Sequence, residues 1–259
     1  MSLVGILVSI FSGFVTYHNL YPATLSDVTL SDESGTVIFV QMSHIASQGF
    51  FEDKNTQLQL LEKEGYTFLV EWVQGGTPDN HDKFDAYMGF RFTETLYDSL
   101  AAMTGLASQN NESLYAGIAS GSLTSVDLSL DQVVELIWDA PPIVSWELPD
   151  IEKELSGALS TLSPRDQKLL NFTVRAFLNW SLKNSGDIEA SLMEWEKAEV
   201  FRAIIEKRND PIVEYIRTHP GDKIAVVYGA LHFNWVYAWL QRLSPNWKII
   251  KIDQTHPYR

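Results

Sequence analysis

The chain has 259 residues, 45% of them hydrophobic, which is enough to bury the core of one large domain or two small ones. Nineteen Lys and Arg against 33 Asp and Glu give a net charge of −14, and this acidic surface field argues against nucleic acid as a partner. Cysteine is absent, which excludes disulfides, thiolate metal sites and a cysteine nucleophile, so any metal must be held by histidine, carboxylate or carbonyl groups.

The N-terminal segment is apolar. Residues 2–16 read SLVGILVSIFSGFVT, residues 17–22 add the aromatic segment YHNLYP, and the first charged side chain is Asp27. This pattern predicts a hydrophobic helix, and we assign residues 1–26 as a retained single-pass membrane anchor because no basic n-region or A-x-A cleavage site indicates a signal peptide. A helix or buried strand of the domain core is the alternative. The acidic flank that follows favours an extracytoplasmic domain.

Residues 27–259 are predicted to form one α/β domain. Four short β-branched runs predict its strands: TVIFVQ at 36–41, YTFLVEW at 66–72, KIAVVYG at 223–229 and NWKIIKID at 246–253. An amphipathic helix is predicted after the first strand, over 52–63, and another after the third, over 233–243. Between the two pairs of strands, residues 83–218 form a large insertion that is predicted to be almost entirely helical.

Apolar periodicity and capping signals divide this insertion into elements. Five helices are predicted: over 83–106, after the N-cap Ser129 with its capping-box partner Gln132, from Pro164 after the N-cap Ser163, over 186–208, and over 211–218. The run SLYAGI at 113–118 is a candidate strand.

Strand, histidine, helix and strand occur in this order at both ends of the domain, as a weak internal repeat. His44 follows the first strand of one copy, and His232 follows the first strand of the other. Residues just past the carboxyl ends of parallel strands line the ligand crevice of an open α/β sheet. If both copies share one sheet, the two histidines are therefore predicted to converge, and Glu71, at the end of the strand after His44, falls on the same edge.

Two imidazoles and one carboxylate are a common ligand set for a catalytic divalent metal that activates water for amide or ester hydrolysis. His44, Glu71 and His232 are therefore the candidate metal ligands, and Glu71 is alternatively a general base. A carboxylate in an apolar run is costly to bury without a partner, so a structural ion pair is the other interpretation of Glu71. A satisfied structural role is likewise the other interpretation of each histidine.

Two further charged side chains are candidates for the same site. Arg208 ends a predicted helix just before Asn209, and its guanidinium could steady a carboxylate or an oxyanion, or could cap that helix. Asp127, in SVDLS, is a candidate third carboxylate or the cap of the following helix.

Over about residues 35–253 the ordered elements resemble the TraB/PrgY/GumN and Tiki family, which belongs with the erythromycin-esterase and ChaN-like folds. The matching positions are Gly229 and His232 in the second strand-GxxH motif, His44 in the first, Glu71 at the end of the second strand, and the Arg208–Asn209 pair after the helical middle. In the first motif Gln41 stands where the family has glycine, so only the histidine of that motif carries over.

The resemblance implies a membrane-associated, metal-dependent, peptidase-like hydrolase that uses divalent manganese or cobalt, with zinc as a further candidate. The three ligand candidates would bind the metal, and Arg208 and Asn209 would contact a peptide substrate. The related esterases use a histidine and a glutamate without an evident need of metal, whereas ChaN-like proteins bind haem, which is not expected here. The departure at Gln41 supports a second interpretation, a non-catalytic binding or accessory subunit of a membrane protein complex that retains the fold.

Overall fold

The predicted α/β class is confirmed, with a mixed central sheet and many helices. The structure is a computed structural model that describes residues 3–93, 95–137, 148–193 and 198–259. Its α-helices are α1 (Leu3–Leu20), α2 (Gln48–Lys63), α3 (Pro78–Met88), α4 (Leu96–Thr104), α5 (Asn111–Leu114), α6 (Leu130–Leu136), α7 (Ile151–Ser160), α8 (Pro164–Lys183), α9 (Ser185–Met193), α10 (Ala198–Phe201), α11 (Asp210–Thr218) and α12 (Phe233–Leu243). Its strands are β1 (Leu25–Asp32), β2 (Gly35–Met42), β3 (Ile45–Ala46), β4 (Thr67–Val70), β5 (Ala107–Ser108), β6 (Leu123–Ser125), β7 (Lys223–Gly229) and β8 (Lys248–Thr255).

The central sheet has six strands in the order β6-β4-β7-β2-β1-β8. The first four are parallel, whereas β1 pairs antiparallel with both β2 and β8. Strand β7 lies between β2 and β4, so the connection β2-α2-β4 passes over β7, and β7-α12-β8 passes over β2 and β1 in the opposite direction. Crossovers between parallel strands are right-handed, and two that run in opposite directions must therefore place their helices on opposite faces of the sheet.

The packing of the core agrees with this arrangement. On β7, Ala225 and Val227 belong to the cluster that contains the buried side chains of α2, whereas Ile224, Val226 and Tyr228 belong to the cluster of α11 and α12. Side chains of a strand alternate between the two faces, so a strand covered by helices on both sides is apolar at every position. Each fully buried aliphatic side chain of this kind contributes about 1.5–3 kcal/mol to the hydrophobic term.

Strand β1 was not predicted. Its sequence, LSDVTLSD, alternates apolar residues with Ser, Asp and Thr. Because these residues follow the apolar N-terminal segment, they are more readily interpreted as its polar flank than as a strand. In the structure Leu25, Val28 and Leu30 are buried, and Asp27 is buried with them at 3% exposure. The polar residues of β1 are the reason that the sequence does not predict this strand, and one of them, Asp27, is buried and hydrogen-bonded inside the protein.

The predicted helix over 83–106 is wrong in its extent, because it is divided into α3 and α4, with Glu94 outside the described residues. Gly89, which directly follows α3, has φ 79° and ψ 11°, a left-handed conformation that glycine adopts readily and that stops a helix. The predicted strand over 113–118 is also wrong, since Asn110 accepts a hydrogen bond from Ser113 N and caps the short helix α5.

Other local signals in the insertion are confirmed. Ser129 and Gln132 form the predicted capping box at the start of α6, and Ser163 caps α8 with Pro164 at its first position. The predicted helix over 186–208 contains α9 and α10, a π-helical segment at Arg202–Glu206 and a 3₁₀ turn at Lys207–Asn209, with residues 194–197 outside the described part. Strands β5 and β6 also lie in this insertion, which is therefore not wholly helical.

The apolar N-terminal segment forms α1, which packs against α8 with the rings of Phe14 and Phe177 5.1 Å apart, and its Val15 and His18 are at most 9% exposed. Among the helices of the described ranges, none has the length and apolar character needed to cross a bilayer. Residues 1 and 2 of the predicted anchor lie outside those ranges, and the membrane assignment stays a prediction.

A buried ion pair fixes α2 against β1. Lys54 is 1% exposed, and its Nζ donates to both carboxylate oxygens of Asp27, at 2.6 and 2.5 Å. The side chain of Gln57 and the backbone N–H of Gln41 donate to the same carboxylate. Burial lowers the pKa of Lys54, and the Asp27 charge opposes this effect.

Breaking this pair on one side should destabilise the protein more than removing both charges. In Asp27→Asn the Lys54 ammonium stays buried without its carboxylate, so we expect a loss of about 3–5 kcal/mol in the free energy of unfolding, measured by urea denaturation. The double variant with Lys54→Met should recover most of this loss. The control is Glu214→Gln, which breaks an exposed pair with Arg217 at 2.6 Å and should cost much less than Asp27→Asn. Equal losses for Asp27→Asn and Glu214→Gln would contradict the assignment.

Candidate functional site

The candidate site lies at the carboxyl ends of β4 and β7, where Glu71 directly follows β4. The parallel register places Val70 beside Val227, and Glu71 N donates to Val227 O at 3.1 Å. Gly229, the last residue of β7, donates its backbone N–H to Glu71 Oε2 at 2.7 Å. A Cβ atom at position 229 would lie 3.3 Å from Glu71 Oε2, closer than most contacts allow, so a residue without a side chain suits this approach.

Arg208 enters the site from the far end of the insertion. The π-helical segment and the 3₁₀ turn before α11 interrupt the regular helix at this point, as is frequent at functional sites. Arg208 Nη2 donates to Glu71 Oε1 at 2.8 Å, and Nε and Nη2 donate to the two oxygens of Asp127 at 2.8 and 2.5 Å. The Asp127 side chain has no exposed surface, and that of Arg208 is 8% exposed, so two buried carboxylates share one guanidinium.

His232 faces the same carboxylate in a fixed tautomer. Asn209 Nδ2 donates to Ile205 O at 2.6 Å, which turns its Oδ1 toward His232 Nδ1, 2.9 Å away. An amide oxygen accepts, so Nδ1 carries the proton of the neutral ring and Nε2 presents its lone pair. That Nε2 lies 3.6 Å from Glu71 Oε1. The completely buried Asn209 thus sits behind His232 and orients its ring.

His44 lies at the periphery of this group. Its ring packs on Tyr97 with centroids 4.6 Å apart and planes at 30°, and its backbone carbonyl accepts from Gln109 N. Within the ranges that the structure describes, no three His, Asp or Glu side chains come together closely enough to hold a metal ion. The structure therefore brings Glu71 and His232 of the predicted ligand set together and leaves His44 outside the contact.

The sheet register explains why the two histidines are not equivalent. In the pairing of β2 with β7, Gln41 lies beside Tyr228 and Met42 beside Gly229. The two GxxH-like motifs are thus displaced by one residue across the sheet. After the first motif the chain continues into β3, whereas after the second it turns directly into α12.

The charges of the site follow from burial and pairing. Burial alone would raise the pKa of Glu71, but the charges of His232, Arg208 and His44 and the Gly229 N–H lower it to about 2. Burial lowers the pKa of His232, although the Glu71 charge opposes this. Burial acts against the charge of Arg208, yet hydrogen bonds and charges from Asp127 and Glu71 raise its pKa. At neutral pH the carboxylate and guanidinium are charged and the imidazole is neutral.

Three tyrosines surround Glu71 and were not identified from the sequence. Burial and the Glu71 charge raise the pKa values of Tyr97 and Tyr115, and burial with the Asp127 and Glu71 charges raises that of Tyr228. The Tyr228 ring meets that of His232 edge-on, with centroids 5.5 Å apart. The ring centroids of Tyr97 and the exposed Phe92 lie 5.9 Å apart, so a row of aromatic rings extends from His44 to the surface.

Of its two interpretations, Asp127 follows the one that places its carboxylate in the site, where it is the second carboxylate beside Glu71. It binds Arg208 with both oxygens, and its Oδ1 also accepts from Leu128 N at 2.8 Å. The side chain that caps α6 is Ser129. Arg208 contacts two carboxylates of the protein itself, those of Glu71 and Asp127, and its contact with a substrate stays a prediction.

Glu71 should make stability dependent on acidic pH. Its pKa in the folded protein, about 2, lies below the ordinary value of 4.5, so its ionised form stabilises the fold above pH 4.5, and this contribution is lost as the pH falls toward 2. We expect the difference in free energy of unfolding between wild type and Glu71→Gln to shrink through this range, measured by urea denaturation. A Glu71→Gln difference that does not change with pH would overturn this assignment.

Comparisons of the chain with protein families, with curated proteins and with solved structures found no match. The resemblance to the TraB/PrgY/GumN and Tiki family stays a prediction from the residues that carry it.

Proposed function

We propose that the protein is a membrane-associated hydrolase of amide or ester bonds, of the TraB/Tiki-like kind, with a peptide as its substrate. One observation carries the proposal: the Nε2 lone pair of a neutral His232 faces the ionised Glu71 at 3.6 Å, beside the guanidinium of Arg208. His232 Nε2 and Glu71 Oε1 are both acceptors with no proton between them, so both can accept hydrogen bonds from a donor such as water. Water held there would be in contact with a base.

The protein side chains suffice for a general-base step. His232 Nε2 takes a proton from water as the oxygen attacks the substrate carbonyl, and the imidazolium that forms is stabilised by Glu71 at Nε2 and by Asn209 Oδ1 at Nδ1. The remaining nitrogen of Arg208, Nη1, donates no hydrogen bond to any residue in the described ranges. It is the group of the site that suits the oxyanion of the tetrahedral intermediate.

A divalent manganese, cobalt or zinc ion is the cofactor that the resemblance implies. Glu71 and His232 offer one oxygen and one nitrogen on facing sides, which suits such an ion, but His44 does not complete a three-ligand cluster in the described residues. When bound, the ion would polarise the substrate carbonyl and acidify water.

A non-catalytic accessory subunit of a membrane protein complex is the second candidate. It is favoured by the engagement of both Glu71 oxygens, one by Arg208 and the other by Gly229 N–H. A carboxylate saturated in this way is also the arrangement expected of a structural ion pair. The two candidates differ in whether His232 performs chemistry.

Replacing the base should abolish hydrolysis without unfolding the protein. We expect His232→Gln to lower kcat/KM by about 10²–10⁴-fold on a panel of acyl-peptide anilides and p-nitrophenyl esters, because no ring nitrogen remains to accept the proton. His81→Gln, at an exposed histidine, is the matched control and should be fully active. Circular dichroism verifies the fold of each variant. Folded wild type that hydrolyses nothing in the panel, or His232→Gln as active as wild type, would favour the accessory subunit.

Metal dependence is tested separately by elemental analysis. We expect protein purified without chelator to carry a divalent cation that His232→Ala loses and His81→Ala retains, because only the first removes a candidate ligand. Activity that survives exhaustive chelation in a metal-free protein would instead leave hydrolysis to the histidine and glutamate alone.

A further inference from the structure

Helices α1 and α8 share an apolar surface, which we call the α1–α8 face. Its exposed side chains on α1 are Leu7, Val8, Ile10, Phe11, Tyr17 and Leu20, and those on α8 are Leu169, Phe172, Phe177 and Trp180, each between 39% and 66% exposed. Single exposed apolar residues are normal on a protein surface, but ten of them on two helices that pack together are typical of an interaction site. The rings of Phe14 and Phe177, 5.1 Å apart, join the two helices within it.

Helix α1 is fixed to the domain. Asn19 Nδ2 donates to Phe172 O at 2.9 Å, and the buried Asn179 accepts from Ala23 N at 2.7 Å. Val15 is 5% exposed. The apolar side chains of α1 are consequently presented together with those of α8, as one surface of the folded domain.

The charge of this face is opposite to that of the molecule. Helix α8 carries Arg165, Lys168 and Lys183 against Asp166, which gives +3 − 1 = +2, whereas its Arg175 donates to the carbonyls of Thr104 and Gly105 beside α4. Helix α1 carries no Asp, Glu, Lys or Arg, and the whole chain has a net charge of −14. An apolar surface within a basic helix pair is the composition of helices that lie at the interface of an anionic bilayer.

Aromatic and basic side chains meet at one end of the face. Lys183 Nζ lies over the ring of Tyr17 at 5.3 Å and donates to the backbone carbonyl of Tyr21. Trp180 precedes Lys183 by one helical turn and is 39% exposed. Tyrosine, tryptophan and lysine together are enriched at the level of lipid headgroups, where their apolar parts enter the membrane and their polar ends stay in water.

We propose that the α1–α8 face is a membrane-docking surface, on which both helices lie in the interface of a bilayer that contains anionic lipid. A second copy of the chain fits less well, because a two-fold contact would bring two faces of like charge together. This inference deepens the membrane association proposed above by adding α8 to the predicted anchor. It does not depend on hydrolysis, since none of its residues belongs to the site of Glu71 and His232.

Flotation of the full chain with lipid vesicles tests the surface. We expect co-flotation with vesicles of phosphatidylcholine and phosphatidylglycerol at about 7:3, and weaker binding to phosphatidylcholine alone. Ile10→Asp and Phe177→Asp should each lower the bound fraction by about tenfold, because a carboxylate would be placed at the lipid contact. Ile250→Asp is the matched control, since Ile250 is 63% exposed on β8 and Ile10 is 64% exposed. Equal losses in all three variants would overturn the proposal.

Single-cysteine labelling separates a two-helix face from a single-helix anchor. The chain has no cysteine, so Phe11→Cys, Phe172→Cys and Ile250→Cys can each carry one environment-sensitive NBD group without background. With the same vesicles we expect a blue shift and quenching by brominated lipid at positions 11 and 172 and no change at 250. A response at position 11 alone would reject the role of α8 and leave the single-helix anchor.

Light scattering after gel filtration supplies the last outcome. A lipid-free dimer that Ile10→Asp and Phe177→Asp convert to monomer, with no vesicle binding by wild type, would assign the face to a second copy and reject the membrane. A monomer that binds vesicles supports the proposal. Activity measured on the same samples shows independently whether the hydrolase proposal holds.

Discussion

The site depends on one constraint, the removal of the Glu71 carboxylate from water at the end of β4. Its side chain is only 13% exposed, and an ionised group in such a place costs several kcal/mol unless charges and hydrogen bonds offset the loss of solvation. Arg208 supplies the charge, and the N–H of Gly229 supplies a donor from the neighbouring strand. Neither partner is local in sequence, so the full fold must form before the carboxylate is satisfied.

The interruption of the helix before α11 follows from the same need. In a 3₁₀ turn successive side chains diverge by about 120°, so two adjacent residues can approach two neighbouring targets from one backbone position. Arg208 reaches Glu71, while Asn209 reaches His232. In a regular α-helix the two side chains would leave the backbone in different directions. The adjoining π-helical segment shifts the chain to the position where both contacts form. The irregular backbone thus couples the carboxylate and the imidazole through one short segment.

Local signals made much of the fold predictable. Strand β7 and helix α12 were predicted with the bounds observed, because a β-branched run and an amphipathic period are properties of a few adjacent residues. The prediction failed where a tertiary contact outweighs the local pattern. In β1 the charged Asp27 argues against a buried strand, but Lys54, distant in sequence, neutralises it in the core. The pairing of Arg208 with Asp127, and the tyrosines around Glu71, had no periodic or spacing signal. The histidine repeat gave the correct edge of the sheet, but the one-residue displacement between β2 and β7 is a matter of strand register, which the motif does not encode.

The electrostatic balance at Glu71 is the physical ground on which we propose chemistry there. The carboxylates of Glu71 and Asp127 face a single guanidinium, so the buried group keeps an excess of one negative charge, and His232 contributes a lone pair rather than a proton. Such a group is satisfied structurally, yet it favours any additional positive charge, whether a proton on His232 or a cation beside it. A purely structural ion pair would gain from exact neutrality, as the Lys54–Asp27 pair has. The contrast between a neutral pair in the core and a negative group at the carboxyl ends of β4 and β7 is the physical basis on which we propose a function for the second.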